Sequence, residues 1–125
     1  MANQADVRQI ALRLPGVSED PRGFAFSVPV MGKQKGFVWA WMERLAPKKP
    51  RVPSGSVVAV LVPNLSAKEA ILAADSTKFF TDPHYDGFPA VVVRLQEIKA
   101  EELEDLLLEA WRCKASPELQ SQLRH

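Results

Sequence analysis

The sequence has few of the residues that most often carry chemistry: one cysteine, Cys113, and two histidines, His84 and His125. A lone cysteine excludes an intrachain disulfide and any zinc site built on several thiolates. No G-x-G-x-x-G, P-loop or G-x-S-x-G occurs, so no familiar phosphate cradle or nucleophile elbow is spelled out. No apolar run approaches the roughly 20 residues of a membrane-spanning helix. The opening MANQADVRQIALRLPG lacks the apolar core of a signal peptide. Net charge is scarce too: 16 basic residues against 15 acidic ones leave +1, which by itself names no partner. What is present is 125 residues at 46% hydrophobic and 25% charged. That is ordinary globular composition, with enough chain to bury roughly two-thirds of its surface in one core. The expectation is a single cytoplasmic domain with no membrane contact and no cofactor.

Along the chain, Asn3 reads as a helix N-cap with Asp6 in the first turn, and Val7, Ile10, Ala11 and Leu14 share one face before Pro15-Gly16 stops the helix. Phe24 to Val28 alternates as a strand closed by Pro29. Gly32-Lys33-Gln34-Lys35 reads as a turn, and Gly36 to Met42 as a second strand of a hairpin. In that strand Phe37, Trp39 and Trp41 are expected on one face, with Val38, Ala40 and Met42 on the other. Arg44 to Gly55 carries three prolines and no periodicity, so it reads as a long loop. Ser56 to Val62 is a continuous apolar strand suited to a central position. Ser66 and Glu69 have capping-box spacing at the head of a helix ending at Ala74. Asp75 to Pro89 is irregular, and Ala90 to Leu95 is a strand. A final long helix starts near Ala100, with Leu103, Leu106, Leu107 and Ala110 as its buried stripe, and is broken at Ser116-Pro117. This order predicts an α+β fold, an antiparallel sheet with helices packed on one face, over residues 1–117, followed by a frayed tail at 118–125.

The charge total conceals a cancellation. From Met31 to Gly55, Lys33, Lys35, Arg44, Lys48, Lys49 and Arg51 face only Glu43, a local balance of +5. From Glu97 to Glu109 the balance is −5, the outer face of an amphipathic helix. Basic residues on a hairpin turn and a proline-stiffened loop are placed to reach a phosphate backbone, and Trp39 or Trp41 would add stacking if exposed. The competing reading is a solvated basic loop with both indoles in the core. In DPHYDGFP, Asp82, His84 and Asp86 alternate, so an extended backbone would set two carboxylates and an imidazole on one side. With Tyr85 they form an alternative ligand site, although Asp and His just as readily fix a turn. Cys113 lies near the buried stripe and reads as an inert thiol rather than a nucleophile.

Three segments, IALRLPGVSE (Ile10 to Glu19), KFFTDPHYDGFPAVVVRL (Lys78 to Leu95) and EELEDLLLEAWRCKA (Glu101 to Ala115), together resemble the MmcQ/YjbR family of small bacterial proteins. Leu14-Pro15-Gly16 and Phe80 to Pro89 correspond to that family's signature positions. The resemblance implies a frataxin/CyaY-like fold and a DNA-binding role through a double-wing arrangement, and it brings no catalytic residue with it. Its expected consequence is a non-enzymatic protein that holds double-stranded DNA through Lys33, Lys35, Arg44, Lys48, Lys49 and Arg51. The alternative is a small-molecule, metal or protein-binding module centred on Asp82, His84, Tyr85 and Asp86.

Overall fold

A computed structural model describes residues 2–43, 50 and 52–123. Its helices are α1 (Gln4–Arg13), α2 (Leu65–Ala74), α3 (Ala100–Lys114) and α4 (Pro117–Ser121). Its strands are β1 (Ser18–Glu19), β2 (Ala25–Val30), β3 (Lys33–Glu43), β4 (Val52–Leu61), β5 (Phe79–Phe80) and β6 (Ala90–Arg94). The strands form one sheet in the order β1-β2-β3-β4-β6-β5, every neighbour antiparallel. The α+β architecture with helices on one face is therefore as expected, and the central place of β4 explains its unbroken apolar text.

Cross-strand register sorts the sheet into two faces. Val38, Val60 and Val91 lie opposite one another, as do Ala40, Val58 and Val93. The valines of both rows join Leu103, Leu107, Ala110 and Trp111 of α3 and Val7, Ile10 and Ala11 of α1 in the main core. Ile71 and Leu72 of α2 pack against its border. Each fully buried side chain of this size contributes about 1.5–3 kcal/mol. Trp111, absent from the expected stripe, is fully buried, and its Nε1 donates to the Pro15 carbonyl at 3.0 Å. On the second face Trp39, Ala59, Val92 and Phe80 form a row across four strands.

Local differences from the expectations have identifiable causes. Asn3 does cap α1, accepting from the Asp6 N–H while the Asp6 carboxylate accepts from the Asn3 N–H, each at 3.0 Å. The cap of α2 is Asn64, which accepts from the Ala67 N–H at 2.8 Å, so Ser66 and Glu69 lie inside the helix and form no capping box. Pro29 does not close β2: it pairs with Gln34, and the tight turn is Met31-Gly32. In a two-residue hairpin the closing pair exchanges both hydrogen bonds, so the next residue needs no N–H toward its partner strand. On its other side β1 reaches only Ser27, which leaves nothing there for Pro29 to lose. Lys33 and Lys35 consequently belong to β3 rather than to the turn. Both turn residues have positive φ, 51° for Met31 and 82° for Gly32, and the Met31 side chain is fully exposed.

The pairing of β2 with β3 slips between Phe26 and Ser27, leaving Phe37 as the extra residue. Phe37 and Val38 are both fully buried as a result, against the simple alternation. The expected loop is shorter than its text suggests, because Val52 and Pro53 pair with Glu43 and Met42. Ser116 caps α4 through its hydroxyl, so an ordered turn occupies part of the expected frayed tail. Leu119 from this turn packs beside Gly16, whose φ of +75° would strain a larger residue and where an added Cβ would come within 2.7 Å of the Leu119 side chain and force it to shift.

Candidate functional site

The segment 81–89 folds over the second face of the sheet, and side chains from both layers hold it there. Trp39 Nε1 donates to the Tyr85 hydroxyl at 3.0 Å, and Trp41 Nε1 donates to Asp82 Oδ2 at 3.1 Å. Alternation along β3 sets the two indoles side by side on this face, and the rings of Phe80, Tyr85 and Phe88 meet them edge to face. Lys68 enters from α2, and its Nζ donates to the carbonyls of Tyr85 at 2.6 Å and Phe88 at 3.0 Å. These contacts make a second, polar-stitched aromatic layer.

The DPHYDG residues have different places in it. Pro83–Tyr85 form a 3₁₀ turn, so the backbone is not extended as expected: Asp82 and His84 border one hollow, and Asp86 is not among its lining residues. Asp82, nearly buried, caps that turn through Oδ1, which accepts from the His84 N–H at 2.9 Å, while Oδ2 takes the Trp41 indole. The Tyr85 hydroxyl accepts from Trp39; His84 and Asp86 are exposed, with His84 Nδ1 3.9 Å from Asp82 Oδ1. Among the described residues no three His, Cys, Asp or Glu side chains gather as a metal ion would require. Turn-fixing accounts for Asp82. A hollow of about 190 Å³ lies between Trp41, Met42, Asp82, His84 and Tyr85. A larger one of about 320 Å³ lies on the other side of Trp41, against Phe80 and Arg94.

An uncharacterised protein of Mycobacterium tuberculosis, Rv2570, is 35% identical over 120 residues, covering 95% of this chain and 93% of the relative. Mb2600 of Mycobacterium bovis, also uncharacterised, matches to the same extent. The chain belongs to their family. No family model matches it. Among solved structures, the crystal structure of Deinococcus radiodurans protein DR2400, a DUF419 domain, superposes with a TM-score of 0.67 over 98% of this chain and 88% of its own. At 17% identity that likeness shows the fold alone.

Of the basic residues singled out by sequence, Lys33 and Lys35 are exposed at the start of β3. Arg44, Lys48, Lys49 and Arg51 lie outside the described residues, in the stretch joining β3 to β4. In the sequence the second group follows the end of β3, whereas the first lies within its first three residues. Sequence reading missed Lys68 and Arg94. Lys68 lay hidden in the supposed capping box, and its role needs the contact with residues 17 and 20 positions ahead. Arg94 ends a run of valines, and only the pairing with Val57 and the nearness of Phe80 give it a site.

Proposed function

We propose that this protein is a non-enzymatic DNA-binding module of the MmcQ/YjbR type, contacting phosphates through Lys33 and Lys35 at one end of β3 and Arg44, Lys48, Lys49 and Arg51 beyond the other. The observation that carries this reading is the start of β3. Lys33 and Lys35 are both exposed there, and the other four basic residues follow within eight positions of its end in the sequence, so six cations are available to a phosphate backbone. The acidic outer face of α3 belongs to the helix layer, with Glu101, Glu104, Asp105 and Glu109 exposed.

The groups that catalysis would call upon are otherwise engaged. Burial, with the nearby Glu109 carboxylate, pushes the Cys113 thiol above its ordinary value, and Sγ donates to the Glu109 carbonyl at 3.3 Å. Asp82 and Tyr85 are committed to the two indoles.

Fluorescence anisotropy tests the reading. A 24-base-pair duplex at low salt binds at tens of micromolar or tighter, and with four to six phosphates engaged log K falls with log salt at a slope of about −4 to −5. A duplex of about six base pairs offers fewer phosphates and fewer condensed counterions to release, and binds much more weakly. No binding, or binding unchanged by Lys48→Glu with Lys49→Glu, overturns the assignment.

A further inference from the structure

We infer that the 320 Å³ hollow beside Trp41 is a binding site for a small, flat aromatic ring carrying one oxyanion, a function independent of the DNA reading. Its walls are fixed before any ligand arrives. Trp41 is held by its bond to Asp82, and Phe80 meets it edge to face with ring centroids 5.5 Å apart. Arg94 lies over the face of the Phe80 ring, its Cζ 4.3 Å from the centroid. Its Nη1 donates to the carbonyls of Ser76 and Thr77, both at 3.1 Å.

That arrangement leaves a directed remainder. Nη1 is spent on two backbone oxygens, whereas Nε–H and the Nη2 pair have no partner among the described residues. No carboxylate among those residues is within ion-pair distance of this guanidinium, although Lys78, Arg8 and Arg112 each have one. A planar fork held rigid on an aromatic face, with donors to spare, fits a carboxylate or phosphate in bidentate fashion. The adjoining indole and phenyl edge supply the surface on which a ring would lie. Glu97 and Gln96 also line the hollow, so an N–H donor on the ligand has an acceptor there. The volume is at the lower end of small-molecule sites, enough for one or two fused rings and a short polar group.

The shared chemistry, a ring plus an oxyanion, comes from an aromatic amino acid or from a nucleotide, and two probes separate the sources. L-Tryptophan and 5′-AMP are titrated separately into the ¹⁵N-labelled full chain while the indole N–H signals of Trp39, Trp41 and Trp111 are followed. The expected result is saturable displacement of the Trp41 signal and of the Val57 and Gln96 amides by one probe at millimolar concentration or below. Trp111, in the main core, stays still. Tryptamine, which has the ring without the oxyanion, does not compete. Arg94→Gln weakens binding at least about tenfold, and Arg94→Lys recovers only part of it. The unmoved Trp111 signal reports that each variant is folded. Failure of both probes, shifts that map elsewhere, or tryptamine binding as well as the two anions overturns the assignment. None of these outcomes bears on duplex affinity, so the two proposals fail separately.

Discussion

The Lys68 ammonium lies 2.6 Å from one carbonyl and 3.0 Å from another, and only 6% of the residue is exposed. It reaches the 81–89 segment from α2 with a charge, and it gives a second, charged donor to two backbone oxygens that also accept from the Phe88 and Ala90 N–H groups at 3.0 and 2.8 Å. Hydrogen bonds to charged groups are worth about 1.5–3 kcal/mol each, and the two carbonyls keep their backbone donors when the ammonium is removed. Lys68→Met keeps the length of the stem and removes the donors. Thermal unfolding of that variant is expected to show a loss of about 2–4 kcal/mol, a fall of several degrees in Tm. A Tm within a degree of wild type would mean that the aromatic contacts alone hold the segment. At this same scale, Asp82 shows how a motif with metal-ligand chemistry becomes structural: both of its oxygens are occupied within its own neighbourhood.

Among the elements, the β2–β3 hairpin carries an unusual turn. Positive φ at both turn positions is what a tight hairpin needs, and it favours Asn-Gly. Met31 holds the first of these positions at a cost of about 1–2 kcal/mol relative to residues that enter the left-handed region freely. Met31→Asn is therefore expected to raise stability by up to about 1 kcal/mol in urea unfolding, with an unchanged m-value. A decrease would show that the methionine side chain makes a stabilising contact.

The elements also show what the text made legible. Long periodic segments came through because their burial pattern and their local signals agree: Val7, Ile10 and Ala11 in α1, Leu103, Leu107 and Ala110 in α3, and Val58 to Leu61 in β4. Two-residue strands such as β1 and β5 have too few residues to show a period, and they exist only because a longer strand offers them an edge. The extra residue at Phe37 is likewise invisible, since a slip in pairing is a property of two strands together. The candidate site was half legible. DPHYDGFP stood out as distinctive, but the text displays its ionisable groups and conceals that Trp41 and Trp39 consume two of them.

For the molecule as a whole, the link between the sheet edge and α3 is electrostatic as well as apolar. Lys78, just before β5, pairs with Glu102 of α3 at 2.7 Å and lies 3.6 Å from Asp75. The hydrogen bond from Lys78 holds the Glu102 carboxyl below its ordinary value near 4.5. Burial pushes the Asp75 carboxyl up, but the N–H groups of Thr77 and Lys78 and the Lys78 ammonium outweigh it and keep Asp75 low. The bond to Glu102 raises Lys78 itself above 10.5. Lowered carboxyls stabilise the fold above their unfolded values and lose that contribution as pH falls through the folded ones. A raised amine loses its contribution as pH rises through its folded value. The stability difference between wild type and Lys78→Met should thus be flat from about pH 5 to 10 and shrink toward both extremes. Unfolding midpoints measured across that range check it, and a difference independent of pH would assign the residue a packing role only. The effect is small because the groups are solvent-screened.

The hydrogen bond from Trp111 to the Pro15 carbonyl spans 96 positions of chain. During synthesis at about 5–20 residues per second, the first helix is made some 5–20 s before the indole that secures its end. A ten-residue helix is not stable alone in water, so Val7, Ile10 and Ala11 have no lasting shelter in that interval. Completion of the core therefore waits until residue 111 has been made. A ribosome stalled anywhere before residue 111 holds a nascent chain whose amino-terminal apolar face is open to chaperones.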